Sequence, residues 1–210
     1  GELARFGDYF YWYGSSYKNN PQGKFRMAAG PVWNGVQVYR SKDLKNWEYR
    51  GVCLPRPESG FGKVGATGRS HVLYNQKTKQ YVMWYRWFIA MPASFLMVAT
   101  ADNPEGPFTP LGAREVGTST GFGSDMNVFK DEDDKAYLIY CDHNQPDAEG
   151  VDWRYAIRID SLSDDYLSSK REGVIVFDRG REAPAIAKYK GKYIAVASGV
   201  HGWSATETSC

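Results

Sequence analysis

A tyrosine that opens a short apolar run returns along this chain at a fixed interval. Tyr81-Val82-Met83-Trp84, Tyr137-Leu138-Ile139-Tyr140 and Tyr193-Ile194-Ala195-Val196 follow one another at 56 residues. Tyr9-Phe10-Tyr11-Trp12 precedes them at 72. Each run follows a polar turn: Gly7-Asp8, Thr78-Lys79-Gln80, Asp133-Asp134-Lys135 and Gly191-Lys192. Self-similarity at such a period is the mark of a repeat architecture.

The repeat is made of strands. Its runs are short, rich in Val, Ile, Tyr, Phe and Trp, and bounded by turn residues. Another apolar run lies ahead of each of the last three (His71–Tyr74, Met126–Phe129, Ala185–Ala187). A further one follows each of the first three (Val36–Tyr39, Phe95–Ala99, Tyr155–Ile159). A polar segment then closes the unit, as in Ser41-Lys42-Asp43-Leu44-Lys45-Asn46-Trp47. Three or four antiparallel strands per unit describe a propeller blade. A β-sandwich also has many short strands, but nothing in it requires equal spacing. The reading is therefore an all-β chain with about three and a half blades, in which the first unit lacks its innermost strand and the fourth stops after Ala197. Residues 1–210 read as one truncated propeller domain. Its open blade edges lead us to expect self-association.

Composition narrows the function. The 26 basic and 24 acidic residues leave a net charge of +2 with no basic stripe, so no nucleic-acid partner is expected. No apolar run reaches the length of a membrane-spanning helix. No signal peptide is visible. Cys53, Cys141 and Cys210 are widely spaced and read as free thiols, without a zinc-type pair. Asp131-Glu132-Asp133-Asp134 reads as a hairpin turn, and no metal or cofactor is expected. The 15 Tyr and 7 Trp suit blade packing, and some would suit stacking on a sugar ring, Trp12 among them.

A propeller's chemistry gathers where its first strands begin. Asp125, in Gly123-Ser124-Asp125-Met126, and Glu182, in Arg181-Glu182-Ala183-Pro184, stand there, 57 residues apart. That spacing predicts equivalent places on neighbouring blades. Two converging carboxylates would suit general-acid work on a glycosidic oxygen, whereas two solvated turn carboxylates would do nothing. Arg69 and His71 occupy the matching point of the second unit. His71 reads as a ligand contact or, with the greater weight, as a structural histidine. Asn144, after His143, reads equally as a rim position for sugar hydroxyls or as a plain turn, and the pair His201 and Trp203 as rim positions. No Gly-x-Ser-x-Gly elbow and no phosphate-binding loop is present.

In family order, the chain carries Tyr11-Trp12-Tyr13-Gly14, Ser41 to Trp47, Arg69 to Asn75 with Tyr81 to Trp84, Ser124-Asp125-Met126 with Lys135 to Tyr140, Asp165-Tyr166-Leu167, and Glu182-Ala183-Pro184 with Ser198-Gly199 and Gly202-Trp203. With these motifs it resembles glycoside hydrolase family 43, in the branch of exo-β-1,3-galactanases. The resemblance implies a five-bladed β-propeller and an inverting glycosidase acting on galactan or plant-type polysaccharide side chains. It implies Glu182 as general acid, Asp125 as the carboxylate that orients substrate and modulates the acid's pKa, and Asn144 as a sugar contact. By analogy with polysaccharide hydrolases, it implies a secreted or periplasmic protein. The chain departs from the branch at Ser15 and Gly68, where the branch commonly has Glu. The opening His-Gly-Gly segment and the fifth blade, with its water-binding Gln, have no counterpart. These departures keep two rivals open: a propeller that binds carbohydrate without cleaving it, and a protein-interaction scaffold.

Overall fold

The computed structural model of the chain describes residues 2–17, 33–57, 65–90, 93–117, 123–142, 156–178, 180–200 and 208–210. Among them are fifteen strands and no helix, so no helix is long and apolar enough to cross a membrane. The strands are β1 (Glu2–Phe6), β2 (Tyr9–Tyr17), β3 (Trp33–Ser41), β4 (Glu48–Leu54), β5 (Ala66–Asn75), β6 (Gln80–Ala90), β7 (Ala93–Ala101) and β8 (Thr109–Arg114). They continue with β9 (Gly123–Lys130), β10 (Ala136–Asp142), β11 (Ala156–Ser161), β12 (Val174–Phe177), β13 (Arg181–Tyr189), β14 (Lys192–Gly199) and β15 (Thr208–Ser209). They form four antiparallel sheets, each built from consecutive strands: β1 to β4, β5 to β8, β9 to β12, and β13 to β15. The repeating tyrosines Tyr81, Tyr137 and Tyr193 each stand second in the second strand of a sheet, so the period of 56 is the step from sheet to sheet.

Two sequence expectations are corrected. The first sheet does have its innermost strand: β1 pairs with β2 from Glu2 opposite Tyr13 to Phe6 opposite Tyr9. Five residues carrying a Glu and an Arg gave too weak an alternation to be seen. In the fourth sheet, β14 runs on to Gly199, and the short β15 adds a third strand through Ala197–Ser209 and Ser198–Thr208. Three complete four-stranded sheets and one three-stranded sheet thus replace three and a half units. The polar closing segments are turns, and the outer strands β4, β8 and β12 follow them.

The chain divides into two compact units, Gly1–Ala113 and Arg114–Cys210. In the first, the period-2 alternation of strands turns Tyr11, Tyr13, Val36 and Val38 inward, against Val72, Met83, Tyr85 and Ala99 of the second sheet. Trp12, between the two buried tyrosines, points the other way. There it joins Leu3, Tyr39 and Tyr49, each opposite the next across the four strands. Glu2 ties the two first strands together, because its Oε2 accepts the Val72 N–H at 3.0 Å.

In the second unit, Ile139, Cys141 and Ile157 pack with Ile186, Ala195 and Ala197 of the fourth sheet. The opposite face of the third sheet is polar yet buried. Arg158 Nε lies 3.2 Å from Asp142 Oδ2, while Asp160 accepts from the Tyr140 hydroxyl at 3.0 Å and the Ser169 hydroxyl at 2.6 Å. Burial, and then the Asp160 charge, push the Tyr140 hydroxyl far up, so it remains a donor. Buried charges persist only when paired this closely. The network also fixes the chain's approach to β9: Gly117 donates its N–H to Asp160 at 3.3 Å and accepts from Arg171 Nε at 2.9 Å. Its φ of +67° is one that L side chains rarely adopt, and a Cβ there would meet Asp142 Oδ2 at 2.8 Å.

Asp131 closes the far end. Buried at the β9–β10 turn, it receives Lys188 Nζ at 2.7 Å and the Tyr193 hydroxyl, both from the fourth sheet. These bonds, Lys188 first, lower its pKa from 3.8 to about 2. A carboxyl depressed on folding contributes stability above its unfolded pKa and loses it as pH falls toward the folded one. We therefore expect the thermal midpoint to drop as pH is taken from 5 to 2. Asp131→Asn should lower the midpoint at pH 6 and flatten that drop. An unchanged pH profile in the variant would show that other carboxylates carry it.

Candidate active site

The candidate carboxylates sit on first strands whose register is broken in the same way. In β5, Gly68 pairs with Arg86 and His71 with Trp84; in β9, Gly123 pairs with Asp142 and Met126 with Tyr140; in β13, Glu182 pairs with Ser198 and Ala185 with Val196. In each case the first strand spends one residue more than its partner, which is a β-bulge. Two bulges carry a non-glycine residue at positive φ, Arg69 at 53° and Ala183 at 51°. Such backbone costs about 1–3 kcal/mol and persists only where the surroundings over-determine it.

Aligning the bulges revises the equivalence that the spacing predicted. Glu182 precedes its bulge, as Gly68 and Gly123 do, whereas Asp125 lies inside its own and matches Ser70 and Pro184. The two carboxylates are therefore staggered by two positions, and Asp125 reaches the backbone beside Glu182. Asp125 Oδ2 accepts the N–H of Ala183, the residue after Glu182, at 3.2 Å. Both side chains are half-buried. Size and charge trade places across these pairs. Gly68 faces the buried Arg86, Gly123 faces the buried Asp142, and Glu182 faces the small Ser198. Of these three pairs, that of Glu182 and Ser198 has its acidic side chain on the first strand.

Two further contacts hold the same backbone. The Ser198 hydroxyl donates to the Glu182 carbonyl at 3.3 Å, and the Cys141 thiol donates to the Arg181 carbonyl at 3.4 Å. The sequence places Ser198 within a motif and offers Cys141 only as a free thiol, because nothing in a lone cysteine between Tyr140 and Asp142 marks such a bond. The bulge of β5 is held similarly. Ser15 Oγ donates to the Thr67 carbonyl at 2.9 Å and lies 2.8 Å from Thr67 Oγ1, and the Tyr17 hydroxyl donates to the same carbonyl at 2.8 Å.

The other sequence candidates fall in different places. Arg69 is exposed at the strained position of its bulge. His71 is buried, its Nδ1 3.0 Å from Glu2 Oε2 without the alignment of a hydrogen bond, so its nearest partner is internal. Trp12 lies in the middle of β2, tilted against Tyr39 with ring centres 5.8 Å apart and edge-on to Trp47 at 6.0 Å. Asn144, His201 and Trp203 lie outside the described residues. No group of three metal-ligating side chains converges among the described residues. None of the three cysteines forms a disulfide, and burial pushes the Cys53 thiol up to about 12.

The family model of glycosyl hydrolases family 43 matches residues 2–209, and the chain belongs to that family. It is similar to the solved exo-β-1,3-galactanase of Clostridium thermocellum, with 31% identity and a TM-score of 0.77, covering 98% of this chain and 43% of that one. It is also similar to the exo-β-1,3-galactanase of Phanerochaete chrysosporium solved with β-1,3-galactotriose, with 27% identity and a TM-score of 0.77, covering 96% and 43%. An endo-1,4-β-xylanase of Bacteroides thetaiotaomicron shares the fold at 23% identity and a TM-score of 0.66, covering 95% and 62%. The chain thus spans less than half the length of either galactanase. No curated protein sequence matches it.

The bulge gives a direct test. A β-branched residue at positive φ is a severe outlier. Ala183→Val should therefore lower stability by about 1–3 kcal/mol in urea denaturation. Ala187→Val, farther along β13 on its exposed side, should change it by less than about 0.5 kcal/mol. Equal shifts would mean that the left-handed backbone at residue 183 is wrong.

Proposed function

We propose that this protein is an exo-acting glycoside hydrolase of family 43 that cleaves β-1,3-linked galactan with inversion at the anomeric carbon. The observation that carries the reading is the placing of Glu182 and Asp125 at neighbouring bulges, with Asp125 bonded to the peptide that follows Glu182. Family membership and the two galactanase likenesses support it. Glu182 gives its proton to the leaving glycosidic oxygen as that bond breaks. Asp125 orients the donor and modulates it through its charge. A water attacks from the opposite face, and a base outside the described residues takes the water's proton. Arg69, exposed beside the Gly68 position, is suited to sugar hydroxyls.

In the whole protein we place a fifth blade against the uncovered row of Leu3, Trp12, Tyr39 and Tyr49, whose exposure of about half for Leu3, Trp12 and Tyr49 is unusual for large apolar residues in a sheet. Trp12 then packs between sheets instead of binding sugar. Export from the cytoplasm follows from a polymeric substrate.

A second reading, a propeller that binds galactan without cleaving it, rests on Gly68. That position answers to Glu182 in register and carries no side chain.

One experiment separates the two. In the full natural protein, hydrolysis of β-1,3-galactan should release galactose first as the α-anomer, read by NMR. Glu182→Gln should lower the rate by about 10²–10⁴ with binding retained. Initial release of the β-anomer would exclude inversion. Binding of the glycan without release by the wild type would favour the second reading.

A further inference from the structure

Three consecutive residues around Glu182 are each held by a side chain from a different strand. The Arg181 carbonyl accepts from Cys141 Sγ of β10, the Glu182 carbonyl from Ser198 Oγ of β14, and the Ala183 N–H donates to Asp125 of β9. The turn they hold is strained, with Ala183 at φ 51° and Pro184 next, and it lacks the glycine that would make it relaxed. A strained backbone stays put only if its surroundings over-determine it. These three bonds supply that constraint. Cys141 and Ser198 are otherwise poorly explained. Cys141 is fully buried and forms no disulfide, and a Val or Ile would fill the same apolar layer beside Ile139 and Ile157. Ser198 is a hydroxyl where the register asks only for a small residue. The β5 bulge repeats the arrangement: Ser15, on the second strand of the preceding sheet as Cys141 is, donates to the carbonyl of Thr67, which precedes Gly68 as Arg181 precedes Glu182.

We propose that Cys141 and Ser198 are positioning residues for the Glu182 proton donor: they fix the carbonyls on either side of its Cα, so that the carboxyl is presented in one orientation to the leaving oxygen. This rests on Glu182 acting as the general acid. Neither residue touches the substrate. Their effect therefore reaches only steps that need the acid, and it scales with the substrate's demand for a proton. A sugar leaving group needs protonation, whereas a nitrophenolate leaves largely without it. A small misplacement of a catalytic group costs up to about 10²-fold in rate.

The test uses the full natural protein with β-1,3-galactobiose and 4-nitrophenyl β-galactoside. Ser198→Ala and Cys141→Ala should each lower kcat on galactobiose roughly 10-fold with KM unchanged, and leave the nitrophenyl rate within about twofold. Ser198→Thr and Cys141→Ser, which keep a donor, should recover most of the loss. If Cys141→Ala does not fold, the near-isosteric Cys141→Val, which has no donor, carries the same comparison. Equal losses on both substrates, a loss confined to KM, or no loss would overturn the proposal while leaving the acid role standing. A wild type that cleaves neither substrate, or a Glu182→Gln variant that cleaves galactobiose as fast as wild type, would instead overturn the hydrolase reading, and this inference with it.

Discussion

One extra residue at the start of a strand governs what this fold can present. A strand alternates its side chains with a period of two, so a slip of one position would send every buried residue of β13 outward. The bulge at residues 183–184 absorbs such a slip locally. Beyond it, Ile186 and its neighbours keep the alternation that the core requires. Before it, the chain is free to carry an acidic residue at the strand's beginning without placing that charge in the core. The same device recurs in β5 and β9, so polar chemistry and apolar packing are separated at one point in each first strand.

The packing behind the bulges is correspondingly strict. In the second unit, one face of the third sheet is aliphatic and packs on the fourth sheet, while its other face carries a buried polar network built on the pairs Tyr140–Asp160 and Arg158–Asp142. Such a network contributes little net stability, because desolvating its charges offsets much of their attraction. Its geometric effect is larger. It grips Gly117 by both its N–H and its carbonyl, a few residues before the strand that carries Asp125. Gly173 shows how close the approach is, since a Cβ there would stand 2.4 Å from Asp160 Oδ1.

Much of this was legible in the sequence, and the reasons for what was not are physical. The tyrosine period, the turn residues and the second and third strands were visible, because tight turns and buried aromatic runs leave strong local signals. The strand β1 was missed because Glu2 and Arg5 dilute a five-residue pattern. The outer strands left little trace because much of Glu48–Leu54 and all of Val174–Val176 face solvent, where packing imposes no alternation. Asp125 and Glu182 were singled out correctly as strand-start carboxylates, but the interval of 57 between them suggested equivalence where the register shows a stagger. The β9–β10 turn, from Lys130 to Ala136, is longer than the β13–β14 turn, from Tyr189 to Lys192, and that difference disguises the offset. Nor does Ala183 advertise a left-handed turn, which sequence reading assigns to Gly or Asn. The hold of Cys141 on a carbonyl 40 residues away appears only once two sheets are in contact.

The meander order of the sheets has a kinetic side. Every pairing joins strands that are neighbours in the chain, from β1–β2 through β14–β15. Each sheet can then assemble from strands in chain order, before any face meets its neighbour. Pairing between chain neighbours keeps the loop-closure entropy of each step smaller than a crossover pairing would. The long-range step left to the second unit is the docking of finished sheets. That step brings Cys141 beneath Arg181 and Asp125 against Ala183, so the acidic turn takes its final shape among the last events of folding.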